Sequence, residues 1–237
     1  MTKEKEISIV TGGNRGIGKS IAIKLAKENH DVIIFGRDEK TLKNTSDELI
    51  NLGARSEYFR GDAADEKFVK DSVNKIFEKY GKIDNLINNA GTSVFKKVID
   101  ASLDEFKEQI NPNLYGIFNF SKAVLPIMTE KKSGAIINII SLAGKNSFVC
   151  GAMYSASKHA ALGFTKSLML EVREFNIRVA AICPGSVDTE FFNGSSMKPN
   201  RDKILKPEDI AETVTLILKL PVRALISEVD LRPTNPK

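Results

Sequence analysis

Thr11-Gly12-Gly13-Asn14-Arg15-Gly16-Ile17-Gly18 closes the β-branched run Ile7 to Thr11 and opens the amphipathic stretch Gly18 to Glu28. Glycines at positions 12, 16 and 18 let the backbone turn sharply, approach a phosphate closely and pack the following helix tightly. The free N–H groups at that helix start favour an anion. Alone, such a loop is also compatible with a plain structural turn. Here it sits between a strand and a helix, the context in which a dinucleotide's pyrophosphate is held.

Outward from this loop the same alternation recurs. Val32 to Phe35, Ser56 to Phe59, Leu86 to Asn88, Ala135 to Ile140 and Val179 to Cys183 read as buried strands. Glu39 to Leu52, Asp65 to Tyr80, Leu103 to Met128, Tyr154 to Phe175 and Pro207 to Leu220 read as helices with apolar positions three and four apart. A parallel return needs a crossover, so the expected fold is α/β: one doubly wound parallel sheet of about seven strands with helices on both faces, ligands gathering beyond the strands' carboxyl ends. The whole chain, residues 1–237, fits one such domain. Residues 190–206, with Gly194-Ser195-Ser196, Pro199-Asn200 and Phe191, Phe192 and Met197 among charges, read as a lid over an apolar pocket.

Composition excludes several classes. A net charge of +5 and a pI near 9.0 come from basic residues interleaved with acids rather than gathered in a tract, which argues against nucleic-acid binding. Cys150 and Cys183, the two cysteines, have no CxxC spacing, so neither a disulfide framework nor a metal site is expected. Met1 to Glu6 is charged and no apolar run reaches membrane-spanning length, so a cytoplasmic location is the expectation.

Two further features carry chemistry. At the end of the second strand, where an acid would bind the ribose diol of NAD, stand Gly36 and Arg37. Arg37 and Arg15 suit the 2′-phosphate of NADP(H) through charge-assisted hydrogen bonds; the plain alternative is a pair of solvated arginines. Asp38 is one residue late for the diol role, which leaves NAD the weaker reading. Tyr154 and Lys158, four residues apart, share one helix face. An ammonium beside a phenol is expected to lower it from about 10 toward 7 or 8, giving an acid/base group for neutral pH.

Together these motifs resemble the short-chain dehydrogenase/reductase family over nearly the whole chain. The resemblance is carried by the glycine loop, Asp62-Ala63, Asn88-Asn89-Ala90-Gly91, Asn113 in Asn113-Leu114-Tyr115-Gly116, Ser141, Tyr154 with Lys158, and Pro184-Gly185-Ser186-Val187-Asp188-Thr189. It implies a Rossmann fold binding NADP(H) through Gly12, Asn14, Arg15, Gly16, Ile17, Gly18 and Arg37. It further implies that Asp62 and Ala63 flank the adenine, that Asn89, Ala90 and Gly91 support the ribose and central strand, that Pro184, Gly185 and Val187 line the nicotinamide pocket, and that Thr189 binds the carboxamide. Asn113, Ser141, Tyr154 and Lys158 would form the active-site tetrad. Pro112, ahead of Asn113, departs from the family pattern and predicts a kink, because the carbonyl of Glu108 loses its helical donor.

The implied reaction is hydride transfer from NADPH to a ketone or aldehyde, with Tyr154 as proton donor, Ser141 polarising the carbonyl, and Lys158 restoring the proton. The family also contains 3-oxoacyl-acyl-carrier-protein reductases, and Lys131, Lys132, Lys198, Arg201, Lys203 and Lys206 are basic residues that such a carrier would meet. Against a thioester substrate, the C-terminal run Ile226-Ser227-Glu228-Val229-Asp230-Leu231-Arg232-Pro233 lacks the usual Val-Asp-Gly-Gly ending, and Leu170 stands where an arginine is common. A generic carbonyl reductase is therefore the first reading, and a non-catalytic NADP(H) sensor the alternative from another class. By resemblance, a homodimer or homotetramer joins through the helical patterns Leu103 to Met128 and Tyr154 to Phe175.

Overall fold

The computed structural model describes residues 4–192 and 199–235. Its strands are β1 (Glu6–Thr11), β2 (His30–Gly36), β3 (Ser56–Arg60), β4 (Asn85–Asn88), β5 (Gly134–Ile139), β6 (Ile177–Pro184) and β7 (Glu228–Leu231). They form one sheet in the order β3-β2-β1-β4-β5-β6-β7, every neighbouring pair parallel. The seventh strand escapes a sequence reading. Its four residues are three half-buried positions and an exposed Asp230 rather than an apolar run.

The intervening helices are α1 (Gly16–Lys27), α2 (Glu39–Asn51), α3 (Glu66–Tyr80), α4 (Leu103–Ile110), α5 (Gly116–Lys131), α6 (Ala152–Val172) and α7 (Pro207–Lys219). Each face of the sheet buries its own apolar layer, because the central strands are apolar on both sides. Val10, Val32, Ile34, Ile137 and Ile182 pack with Leu25, Leu42, Leu49, Ile210 and Val214 on one face. Ile9, Ile33, Phe35, Leu86 and Ile136 pack with Val73, Phe120, Val124 and Leu168 on the other. Among the described residues, no helix is long and apolar enough to cross a membrane.

The helix expected from Leu103 to Met128 is interrupted. Ser102 caps α4 reciprocally with Glu105, and α4 ends at Ile110. Asn111–Tyr115 then forms a π-helical turn containing Pro112, after which α5 begins at Gly116. The expected kink thus takes the form of a widened turn, which absorbs the hydrogen bond that proline cannot donate. Chain order reverses between β1 and β4, so the crevice beyond their carboxyl ends opens between the glycine loop and the segment after β4.

Candidate active site

The crevice is built first from backbone. Gly12 and Gly16 adopt positive φ of 63° and 52°. At Gly18 an added Cβ would lie 2.1 Å from the carbonyl oxygen of Gly12, so the first turn of α1 presses against the loop. Arg15 precedes α1 without capping it, and no acid occupies the first turn. The amides at this helix start are therefore directed at the crevice with no internal anion to neutralise them, which fits the phosphates of a dinucleotide.

Asn89 straps the far wall to the loop. Its Nδ2 donates to the carbonyls of Thr11 and Gly12 at 3.0 and 3.3 Å, and the Thr11 hydroxyl accepts from the N–H groups of Asn89 and Ala90 at 2.9 and 3.0 Å. Thr11 is a position that the motif reading passes over. Its side chain couples the two walls because it ends β1 beside the end of β4.

Asn113 is completely buried on the π-helical turn. Its Oδ1 accepts from the N–H of Thr92 at 2.9 Å, while Nδ2 donates to the Thr92 carbonyl at 2.9 Å and to the Ser157 hydroxyl at 3.0 Å. Ser157 donates in turn to the carbonyl of Tyr154 at 2.8 Å. Asn113 thereby ties the segment after β4 to the helix that carries Tyr154. Thr92 and Ser157, which sequence motifs do not single out, complete this link.

Ser141, Tyr154 and Lys158 converge at the ends of β5 and α6. The Ser141 hydroxyl accepts from the N–H of Ala143 at 3.0 Å, and it lies close enough to the Tyr154 phenol to influence its titration. Lys158 is buried and donates from Nζ to the carbonyl of Ile139 at 3.2 Å; Nζ lies 5.9 Å from the centroid of the Tyr154 ring. A Cβ on Gly91 would stand 2.8 Å from Asn113 Oδ1 and 3.6 Å from Lys158 Nζ, which places the end of the Asn88–Gly91 segment against both.

The titration of this pair reverses the expectation from helix spacing. Burial pushes the Tyr154 phenol up to about 12, opposed by the nearby Ser141 hydroxyl. Burial pulls Lys158 down to about 8, with the neighbouring Cys183 acting weakly the other way. Desolvation penalises the charged form of each group, and the lysine amine is turned to a backbone carbonyl rather than to the phenol oxygen.

The other sequence-selected positions surround the crevice. Arg15 and Arg37 are exposed at its outer end, Arg15 lying 3.9 Å from Glu190. Asp38 caps α2, accepting from the Thr41 N–H at 2.7 Å; its carboxyl is held low by Thr41, with a smaller contribution from Arg15. Asn14 donates to the Thr41 hydroxyl at 2.8 Å, and a Cβ on Gly36 would meet Asn14 Oδ1 at 2.6 Å. Asp62 accepts from the Ala64 N–H at 2.9 Å, and the carbonyl of Ala63 accepts from Asn119 at 3.1 Å. Ile17 packs on the apolar layer behind α1. A Cβ on Gly16 would meet Thr189 at 3.3 Å, which sets the run after Pro184, with Gly185 and buried Val187, beside the glycine loop.

The lid expected at 190–206 is only partly open to description. Glu190–Phe192 is a 3-10 turn, and positions 193–198, including Met197 and Lys198, lie outside the described residues. Beyond them Leu205 pairs with Val187, and Asp188 binds Arg201 at 2.7 Å and Lys206 at 2.8 Å. Two basic residues expected to face a carrier protein are therefore engaged with an acid at the base of this segment.

The fold and the family of the chain are shown by comparison with known proteins. A model of the family described as short chain dehydrogenase matches residues 6–200. An uncharacterized oxidoreductase of Staphylococcus aureus strain MRSA252 is 32% identical over 228 residues, covering 96% of this chain and 97% of its own. An alcohol dehydrogenase from the archaeon Thermococcus sibiricus, complexed with 5-hydroxy-NADP, superposes with a TM-score of 0.91 at 30% identity, covering 99% of this chain and 100% of its own. An actinorhodin polyketide ketoreductase variant with NADPH does so with a TM-score of 0.89 at 30% identity, covering 98% and 97%. With the family model matched over residues 6–200 and a relative 32% identical along nearly its whole length, the chain is a member of the short-chain dehydrogenase family and an oxidoreductase.

Proposed function

We propose that the protein reduces a ketone or aldehyde with NADPH, Tyr154 supplying the proton. The observation that carries this reading is the gathering of Ser141, at the end of β5, with buried Tyr154 and Lys158, whose amine lies 5.9 Å from the Tyr154 ring, beside a crevice bounded by the glycine loop. The NADP-type ligands named for the two solved structures support the choice of cofactor. So do Arg15 and Arg37, exposed where a 2′-phosphate would lie, and Asp38, whose carboxylate is engaged as a helix cap.

Residues of the glycine loop and the start of α1 would hold the phosphates, and Val187 and Thr189 would border the pyridine ring. NADPH supplies a hydride for the carbonyl carbon. Ser141 hydrogen-bonds the carbonyl oxygen and orients it. Tyr154, protonated at neutral pH because burial keeps its phenol near 12, is in the form that can donate a proton to that oxygen. Lys158, near 8, is the stronger acid of the two and, because its amine faces the Ile139 carbonyl, reprotonates the resulting phenolate through water. With NADPH as cofactor, reduction is the direction proposed. The substrate is a small carbonyl compound, and an acyl thioester is the alternative within the same chemistry. A homodimer or homotetramer through α5 and α6 accords with the exposed Phe118 and Leu170 on those helices.

The test is an absorbance screen of NADPH and NADH oxidation against ketones, aldehydes, diketones and 3-oxoacyl thioesters. Turnover with NADPH in preference to NADH is expected. Inertness toward every carbonyl would sink the reductase reading, and a clear NADH preference would sink the roles of Arg15 and Arg37.

A further inference from the structure

Three phenylalanines from separate segments cluster beside Tyr154, two of them against its ring and Phe148 through Phe95. Phe95, in the loop after β4, lies 5.5 Å from the Tyr154 ring at an interplanar angle of 86°. Phe148, between β5 and α6, is 5.6 Å from Phe95, also edge to face. Phe191, in the short turn after β6, is 6.2 Å from Phe95 and 5.9 Å from Tyr154. Tyr154 is only 8% exposed, whereas Phe148 and Phe191 are 36% and 38% exposed. The rings therefore shield the phenol from water and also form the apolar rim of its site.

The backbone is shaped to keep Phe148 in this position. A Cβ on Gly151 would come within 2.5 Å of the Phe148 ring, so the ring rests directly on the start of α6 and would have to shift to admit a side chain there. Edge-to-face contacts reward an incoming aromatic ring, which replaces one ring contact with another. A compact substrate rich in hydroxyls or charges would lose water against these rings and gain no hydrogen bond from them.

We infer that Phe95, Phe148 and Phe191 determine specificity, selecting carbonyl compounds that carry an aromatic ring or an equally flat apolar body next to the carbonyl. This inference rests on the proposed reductase function and names its substrate class.

Butanedione and phenylpropanedione, which differ by a phenyl in place of a methyl, are compared as substrates with NADPH. The phenyl compound is expected to have the higher kcat/KM, chiefly through KM. Replacing one ring, in Phe148→Ala or Phe95→Leu, is expected to reduce the ratio of the two kcat/KM values by about threefold to tenfold. Gly151→Ala, which displaces the Phe148 ring without removing it, shifts the ratio in the same direction. Equal or better turnover of butanedione by the unaltered protein overturns the inference alone, as does a ratio that none of the three substitutions changes. Failure of both diketones and of the wider carbonyl screen to consume NADPH overturns the reductase reading and this inference with it.

Discussion

Tyr154 and Lys158 illustrate how burial governs a pair that spacing brings together. Four residues of helix place them on one face, but the enclosed site raises the phenol and lowers the amine. Tyr154→Phe keeps the ring contacts and removes the donor, so it is expected to fold and bind NADPH while losing on the order of 10² to 10⁴ in kcat. Turnover close to that of the unaltered protein would remove Tyr154 from the mechanism. Lys158 permits a separate test on folding. Its amine titrates near 8 when folded, against an ordinary 10.5. Between those pH values the unfolded chain holds a proton that the folded lysine has released, so stability rises with pH across that window and the penalty is complete below it. Relative to Lys158→Met, the protein is expected to gain roughly 3 kcal/mol from pH 8 to 10.5 in urea denaturation. Parallel pH profiles for the two proteins would contradict a depressed amine.

At the scale of single elements, the start of α1 depends on the absence of a side chain. A methyl at position 18 would overlap the Gly12 carbonyl and the Asn89 amide, both parts of the strap between the crevice walls. Gly18→Ala is expected to cost about 1–3 kcal/mol and to weaken NADPH binding, measured by urea midpoint and cofactor fluorescence. An unchanged midpoint with unchanged affinity would mean that the loop yields freely. The sequence pattern reports α1, α2, α3 and α7 well because their apolar periodicity and, for α2 and α3, their aspartate caps are local signals. It runs α4 and α5 together, since the apolar period continues through Pro112 and only the hydrogen-bond spacing changes.

For the whole molecule, α5 and α6 expose Phe118 at 42% and Leu170 at 59%, the positions at which the proposed subunit contact is tested. The double substitution Phe118→Glu, Leu170→Glu is expected to shift light-scattering mass toward the monomer. A monomeric mass for the unaltered protein would overturn the proposed assembly. Sheet order belongs to this scale as well. It sets β1 beside β4, so the Gly12 loop meets Asn89 and the Ala90–Gly91 segment reaches Lys158.

The sequence by itself determined the α/β alternation, the glycine loop and the identities of Ser141, Tyr154 and Lys158, because periodicity, turn chemistry and motif spacing act over a few residues. Only tertiary structure decided what those groups face. Thr11, Thr92 and Ser157 acquire their roles from hydrogen bonds across elements, and Phe95, Phe148 and Phe191 meet although they lie far apart along the chain. The direction of the Tyr154 and Lys158 shifts was likewise hidden from the sequence, since desolvation depends on the whole enclosure around a charge and not on its neighbours along one helix.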